Sequence, residues 1–230
     1  MPGKNVREAA GRRGRGNRAG LTVARIAEAA RALPTQGITI KAVADRLGVD
    51  RAAIHHYVSD LDGLRELVAC DAFSVHLAPV TIPSGAHWRE ACRLLALSMH
   101  DAVLAARGLG AYVRLDGTDI ALLEPVEETL RIMIDAGLDD ETAARGLAAL
   151  ATLAGGIARE RVLAQRPTGH PQVPEIQQAL SDSGGSDLPV LKRLTDTGIV
   201  GFDRRQLDTS IELLLDGIEA RLERITADEP

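Results

Sequence analysis

Between Val23 and Phe73 the apolar positions recur three and four residues apart in four short runs. The first carries Val23, Ile26, Ala27, Ala30 and Leu33 on one face of a 3.6-residue period. Thr22 is suited to cap it, and Pro34 and Gly37 end it. Thr39 caps a second, short helix holding Ile40, Val43, Ala44 and Leu47, and Gly48 stops that helix because glycine tolerates positive φ. Asp50 caps a third, whose Ala53, Ile54 and Val58 face inward. A fourth, longer helix begins at Leu61 and runs through Leu64, Leu67 and Val68 toward Phe73. Beyond it the pattern predicts helices over 87–106, 119–136, 140–164 and 202–225. Residues 166–189 carry Pro167, Pro171, Pro174, Gly184, Gly185 and Pro189, which predict an irregular connection with a short helix near 190–195. No run alternates with the two-residue period of a strand, so an all-α fold is expected.

The turn between the second and third helices carries the chemistry. In "TIKAVADRLGVDRAAIHHYV", residues 39–58, small Ala44 allows close packing, Gly48 makes the turn, and Val43, Leu47, Val49 and Ile54 fill the seam. That is the plan of a helix-turn-helix, whose second helix is presented to a DNA major groove. It accounts for the polar outer positions Arg51, His55, His56 and Tyr57 and for small Ala52, which then face bases and phosphates.

Charge supports the same partner. The total is −5, but residues 1–65 hold twelve Lys or Arg against six Asp or Glu, and residues 66–230 hold fifteen against twenty-six. A polyanion is drawn to the first part and repelled by the second. Residues 1–19 have no apolar period and concentrate Arg12, Arg13, Arg15 and Arg18. They read as a disordered basic arm able to track a nucleic-acid groove, or as a plain solvated tail.

The segment "VADRLGVDRAAIHHYVSDLDGLREL" resembles the DNA-binding domain of the tetracycline-repressor (TetR) family of transcriptional regulators, with Ala44, Gly48, Val49, Ala53, Ile54 and Leu64 at matching positions. The C-terminal "FDRRQLDTSIELLLDGIEARLERI" resembles the last helix of many members. The resemblance implies a three-helix helix-turn-helix domain over 20–66, followed by a helical ligand-binding and dimerisation domain over 67–230. The sequence departs from the family pattern at four places. His55 stands where many members place an aromatic phosphate contact, Tyr57 where a His follows, Val58 for Phe and Leu61 for Lys. Altered DNA contacts are one outcome; the alternative is a helical interaction module that no longer binds DNA.

Candidate DNA contacts are Thr39, Lys41, Asp50, Arg51, Ala52, His55, His56 and Tyr57. Arg51 can pair bidentately with guanine, worth about 1–3 kcal/mol of discrimination. Thr39 and Lys41, at a helix N-terminus, suit phosphate. Adjacent His55 and His56 point about 100° apart on a helix, so they do not suggest a metal site. No metal or cofactor is expected, and no nucleophile elbow, phosphate loop or dinucleotide fingerprint suggests an enzyme. Cys70 and Cys92 read as reduced, buried thiols suited to the cytoplasm. The longest uncharged stretch, 72–88, is broken by Pro79 and Pro83, so no membrane span is expected.

For the second domain the expectations are coarser. Trp88, Met99, His100, Tyr112, Arg114 and Met133 are candidates for lining a cavity that takes an unknown small-molecule effector, and each is also compatible with ordinary packing. Leu207, Ile211, Leu214, Leu215, Ile218, Leu222 and Ile225 form a stripe on the last helix, and "GLAALATLAGGIA" supplies small residues within 140–164. The resemblance implies a homodimer built from these two helices, with recognition helices one DNA turn apart, about 34–36 Å. Two ordinary core helices are the alternative.

Overall fold

The computed structural model describes residues 20–114, 120–165, 167, 169–182, 188–197 and 201–228, with side chains to 224. The basic arm over 1–19, Asp119 and the side chain of Ile225 lie outside the described residues. Among those described, every regular element is a helix: α1 (Val23–Arg31), α2 (Ile40–Leu47), α3 (Arg51–Ile54), α4 (Leu61–Leu77), α5 (Trp88–Ala105), α6 (Glu124–Asp135), α7 (Asp140–Ala164), α8 (Gln172–Asp182), α9 (Pro189–Asp196) and α10 (Arg204–Asp228).

Local chemistry sets most of these boundaries. Thr22 and Thr39 cap α1 and α2 by accepting from the N–H groups of Arg25 and Ala42 at 3.2 and 3.1 Å. Asp50 and Asp60 do the same for α3 and α4, each at 2.8 Å. The Gly63 N–H, with help from Ser59, holds the Asp60 carboxyl below its usual range. Gly48 ends α2 at φ 66°, and the Val49 N–H reaches back 3.1 Å to the Ala44 carbonyl, closing a left-handed cap.

The apolar faces collect into two cores. The smaller gathers Ile26, Ala30, Ile38, Val43, Ala44, Ile54, Val58, Leu64 and Val68. The larger gathers Phe73 and Leu77 with Trp88, Leu95, Met133, Leu150, Leu207, Ile211 and Leu215. Helix α4 therefore serves both, its first half closing the small unit and its second half entering the large one. Ala106 and Leu109, just past the end of α5, are also buried in the smaller core.

Three expected elements differ. The regular part of α3 stops at Ile54 and continues as a turn, although the Val58 N–H still meets the Ile54 carbonyl at 3.2 Å. Helix α6 begins at Glu124, with Pro125 in its first turn where no intrahelical N–H is needed. The connection expected to be largely irregular contains α8, in which Pro174 likewise occupies the first turn.

Two tests follow. A Cβ at Gly48 would meet no atom within 4 Å, so Gly48→Ala is charged only for its left-handed backbone, about 1–2 kcal/mol in thermal or denaturant melts, with Gly48→Asn costing less. Burial pushes the Cys92 thiol up to about 12, leaving it protonated at neutral pH, so a disulfide-exchange reagent should label Cys92 only after unfolding.

Candidate nucleic-acid interface and its link to the effector domain

The surface of α2 and α3 is built by what lies beneath it. Val43, Ala44 and Ile54 are at most 1% exposed, and anchoring them fixes which side chains point away. Thr39, Lys41, Asp50, Arg51, Ala52, His55, His56 and Tyr57 are all exposed.

They are not equally free. The Thr39 oxygen accepts from Ala42, and its hydroxyl hydrogen remains available to a phosphate. The Asp50 carboxylate is occupied by the Ala52 N–H, which makes it a cap. His55 Nδ1 lies 3.2 Å from the Ser59 carbonyl; a carbonyl only accepts, so Nδ1 carries the proton there. Tyr57 donates its hydroxyl proton to the Leu21 carbonyl at 2.6 Å. Phosphate oxygens only accept, so the Tyr57 hydroxyl cannot bond to one without giving up this contact. Its bond clamps the start of α1 onto the reading unit, a long-range role that spacing alone did not suggest.

The same unit is fastened to the larger domain by contacts that no local pattern announces. Thr35 donates to the Arg107 carbonyl at 2.9 Å, and the Arg107 guanidinium donates to the Arg31 carbonyl at 3.2 Å. Arg107 adopts φ 50°, a region that non-glycine residues seldom occupy, and Gly108 follows at φ 87°. Arg31 in turn faces Asp71 of α4 at 2.8 Å, as an ion pair lacking hydrogen-bond alignment. Burial raises the Asp71 carboxyl above its usual range, Arg31 pulling against the rise and Glu28 adding to it. Tyr112 donates to Asp62 of α4 at 3.3 Å, a carboxylate that Arg65 of the same helix also meets at 3.0 Å.

The six candidates for effector contact fall into separate groups by the contacts they make. Tyr112 bonds to α4, and Arg114 faces Glu66 at 3.7 Å while its N–H meets Cys70 Sγ at 3.4 Å. Both belong to the seam with the reading unit, because the chain after α5 turns back along α4. Trp88 and Met133 are packed in the large core with Met99 against it, although Trp88 also borders an open cavity of about 400 Å³ with His87, Arg131 and Ile132. His100 differs from the rest. It is 1% exposed, its Nδ1 meets the Asp101 carboxylate at 2.8 Å, and its Nε2 is buried without a partner among the described residues. Since a carboxylate accepts, Nδ1 carries the proton, and in the neutral ring Nε2 is an acceptor.

A larger open groove, about 690 Å³, runs between α7 and the start of α10, lined by Ala149, Leu153, Gly156, Ile157, Phe202 and Gln206 among others. Elsewhere α10 is tied to α5 by charge: Arg89 meets Glu212, Asp216 and Glu219 at 2.6–2.9 Å, and Arg93 also pairs with Glu212.

This geometry has relatives. The family model described as "Tetracyclin repressor-like, C-terminal domain" matches residues 82–222. The chain belongs to the tetracycline-repressor family. Solved structures share the fold over nearly the whole TetR chain. A possible TetR family transcriptional regulator from Streptomyces coelicolor A3(2) superposes with a TM-score of 0.70 at 22% identity, covering 86% of this chain and 99% of that one. ActR from Streptomyces coelicolor superposes in its apo form with a TM-score of 0.69 at 23% identity, covering 89% and 99%. In complex with actinorhodin ActR gives 0.66 at 25% identity, covering 88% and 97%. No curated protein matches the sequence. No helix among the described residues is long and apolar enough to cross a membrane.

The Tyr57 clamp is testable apart from any role on DNA. Tyr57→Phe removes one hydrogen bond and should cost about 0.5–1.5 kcal/mol in melting experiments, with base preference unchanged in a binding-site selection.

Proposed function

We propose that the protein is a transcriptional repressor of the cytoplasm that binds a palindromic double-stranded operator as a homodimer and lets go when a small molecule occupies its helical domain. The observation that carries this reading is the exposed α2–α3 surface, held at a left-handed Gly48 turn over a buried Val43–Ala44–Ile54 seam, with Lys41, Arg51, His55 and His56 on its outer side. In this reading Arg51 and His56 read base edges, Thr39 and Lys41 hold phosphate, and Arg12, Arg13, Arg15 and Arg18 follow the backbone.

A single four-residue recognition helix reads few bases, so two copies are needed for a specific site. The open groove between α7 and α10 suits that second copy: it is apolar, and Gly156 has no neighbour within 4 Å of the Cβ position. For the effector, the unfilled Nε2 of His100 is the natural polar anchor, since a buried acceptor without a partner costs about 1–3 kcal/mol. A ligand offering a hydroxyl or N–H there would recover that cost. ActR, solved both empty and with actinorhodin, supports the idea that this fold takes a small molecule.

Titrating affinity for duplex DNA against salt is the direct test. Log affinity should fall linearly with log salt, at a slope of about −0.9 per phosphate neutralised. Arg51→Ala should relax base preference at one operator position by about 1–3 kcal/mol. Deleting residues 1–19 should weaken all sequences alike and flatten the salt slope. If no duplex, including DNA upstream of its own gene, binds better than random DNA, the DNA-independent interaction module takes over.

A further inference from the structure

The charge that would hold the reading unit to a polyanion is thinner than the total for residues 1–65 suggests. Residues 20–65 carry six Lys or Arg against five Asp or Glu, so the folded unit is nearly neutral without the segment that precedes it. Its two histidines, His55 and His56, are exposed side by side at the end of α3. Imidazole is the side chain that gains its charge between about pH 8 and 5. Protonating both rings would take the unit's net charge from +1 to +3.

The two rings are not equivalent. His56 makes no hydrogen bond among the described residues and only edges against Tyr57, with 6.5 Å between ring centroids, so it can present an N–H from whichever tautomer suits. His55 has no such choice. Its Nδ1–H is given to the Ser59 carbonyl at 3.2 Å, which leaves Nε2 of the neutral ring with a lone pair. Phosphate oxygens offer only lone pairs as well, so a neutral His55 has nothing to donate to a DNA backbone. With a second proton Nε2 becomes a donor and the ring a cation, while the bond to Ser59 is kept. Position selects phosphate over base. The first residues of a recognition helix reach base edges, whereas His55 follows the last regular residue of α3 and its ring is drawn toward the chain that leads to α4.

The charged groups around the ring leave this proton as the one that moves. Arg51 stands one turn earlier on α3, its carbonyl accepting from the His55 N–H at 3.0 Å, and its fixed charge opposes a cation at 55. Asp60, which caps α4, favours one. The Asp60 carboxyl is held below its usual range chiefly by the Gly63 N–H, then by Ser59, with a small part from His55, so it stays ionised wherever an imidazole titrates.

We infer that His55 is a proton-gated phosphate contact, so that duplex binding places a second proton on the ring of each copy and affinity depends on pH through it. The inference rests on the DNA-binding reading above and adds a form of regulation to it. Because the protonated ring is the one that binds, the complex keeps the proton to a higher pH than the free chain does. The added affinity is complete below the range in which the free ring titrates and is lost as pH rises through that of the complex.

The probe is a duplex selected from random sequence by the full chain, in parallel at about pH 6 and about pH 8, with affinity then measured at constant ionic strength. Two rings predict binding about tenfold tighter at the lower pH, and a salt slope steeper there by about 0.9 per ring. His55→Gln, whose amide donates without titrating, should cut the pH difference to about twofold or less. Wild-type affinity that is equal at both pH values overturns the contact and leaves the DNA-binding reading standing. So does a pH difference that survives in His55→Gln, or one abolished instead by His56→Gln. If selection enriches no duplex at either pH, the DNA-binding reading itself falls and takes the contact with it.

Discussion

The burial of Ala106 and Leu109 among the side chains of α1, α2, α3 and α4 is the constraint on which the rest depends. These two residues come from just past the end of α5, yet they complete the core beneath the reading surface. The small unit is consequently not closed by its own residues. Thr35, Arg31 and Arg107 tighten the same joint through hydrogen bonds to backbone carbonyls, which tolerate changes of side chain but not of position. Any displacement of the turn after α5 is thus felt under the helix-turn-helix as a change in packing. Close-packed interiors transmit such shifts because they have little void to absorb them.

Features whose causes are local were legible in the sequence. Thr22, Thr39 and Asp50 cap the helices they precede, and Gly48 takes the left-handed turn. The 25 residues of α7 run over 140–164, where the pattern places a helix. Helix α8 was hidden because Pro171 and Pro174 read as breakers, although a proline in the first turn gives up no hydrogen bond. What a helical period cannot reveal is which neighbour a face meets. Hence Tyr112 and Arg114, candidates for a cavity or for ordinary packing, contact α4 at the seam, and the Arg107–Arg31 contact, 76 residues apart, left no trace in the pattern.

For the candidate site the sequence pattern indicates which positions are exposed, and says less of which groups stay free. All eight proposed DNA contacts are exposed, as the inward positions Val43 and Ile54 lead one to expect. Which of them remain free depends on hydrogen bonds to distant backbone, as with Tyr57 and the Leu21 carbonyl, 36 residues away. Asp50 follows a local rule and is spent on its own helix. Charge divides along the chain: the basic excess of residues 1–65 comes almost entirely from residues 1–19, while α10 commits Glu212, Asp216 and Glu219 to a single arginine of α5.

Helix α4 begins in one core and ends in the other. Its 17 residues, at 1.5 Å of rise each, make a rod of about 25 Å. A tilt of about five degrees about one end of such a rod carries the other through about 2 Å, the size of a hydrogen-bond mismatch in a DNA groove. A slight rearrangement around Phe73 and Leu77 would in this way be geared up to a displacement of that size beneath the α2–α3 surface, with no need for either core to come apart.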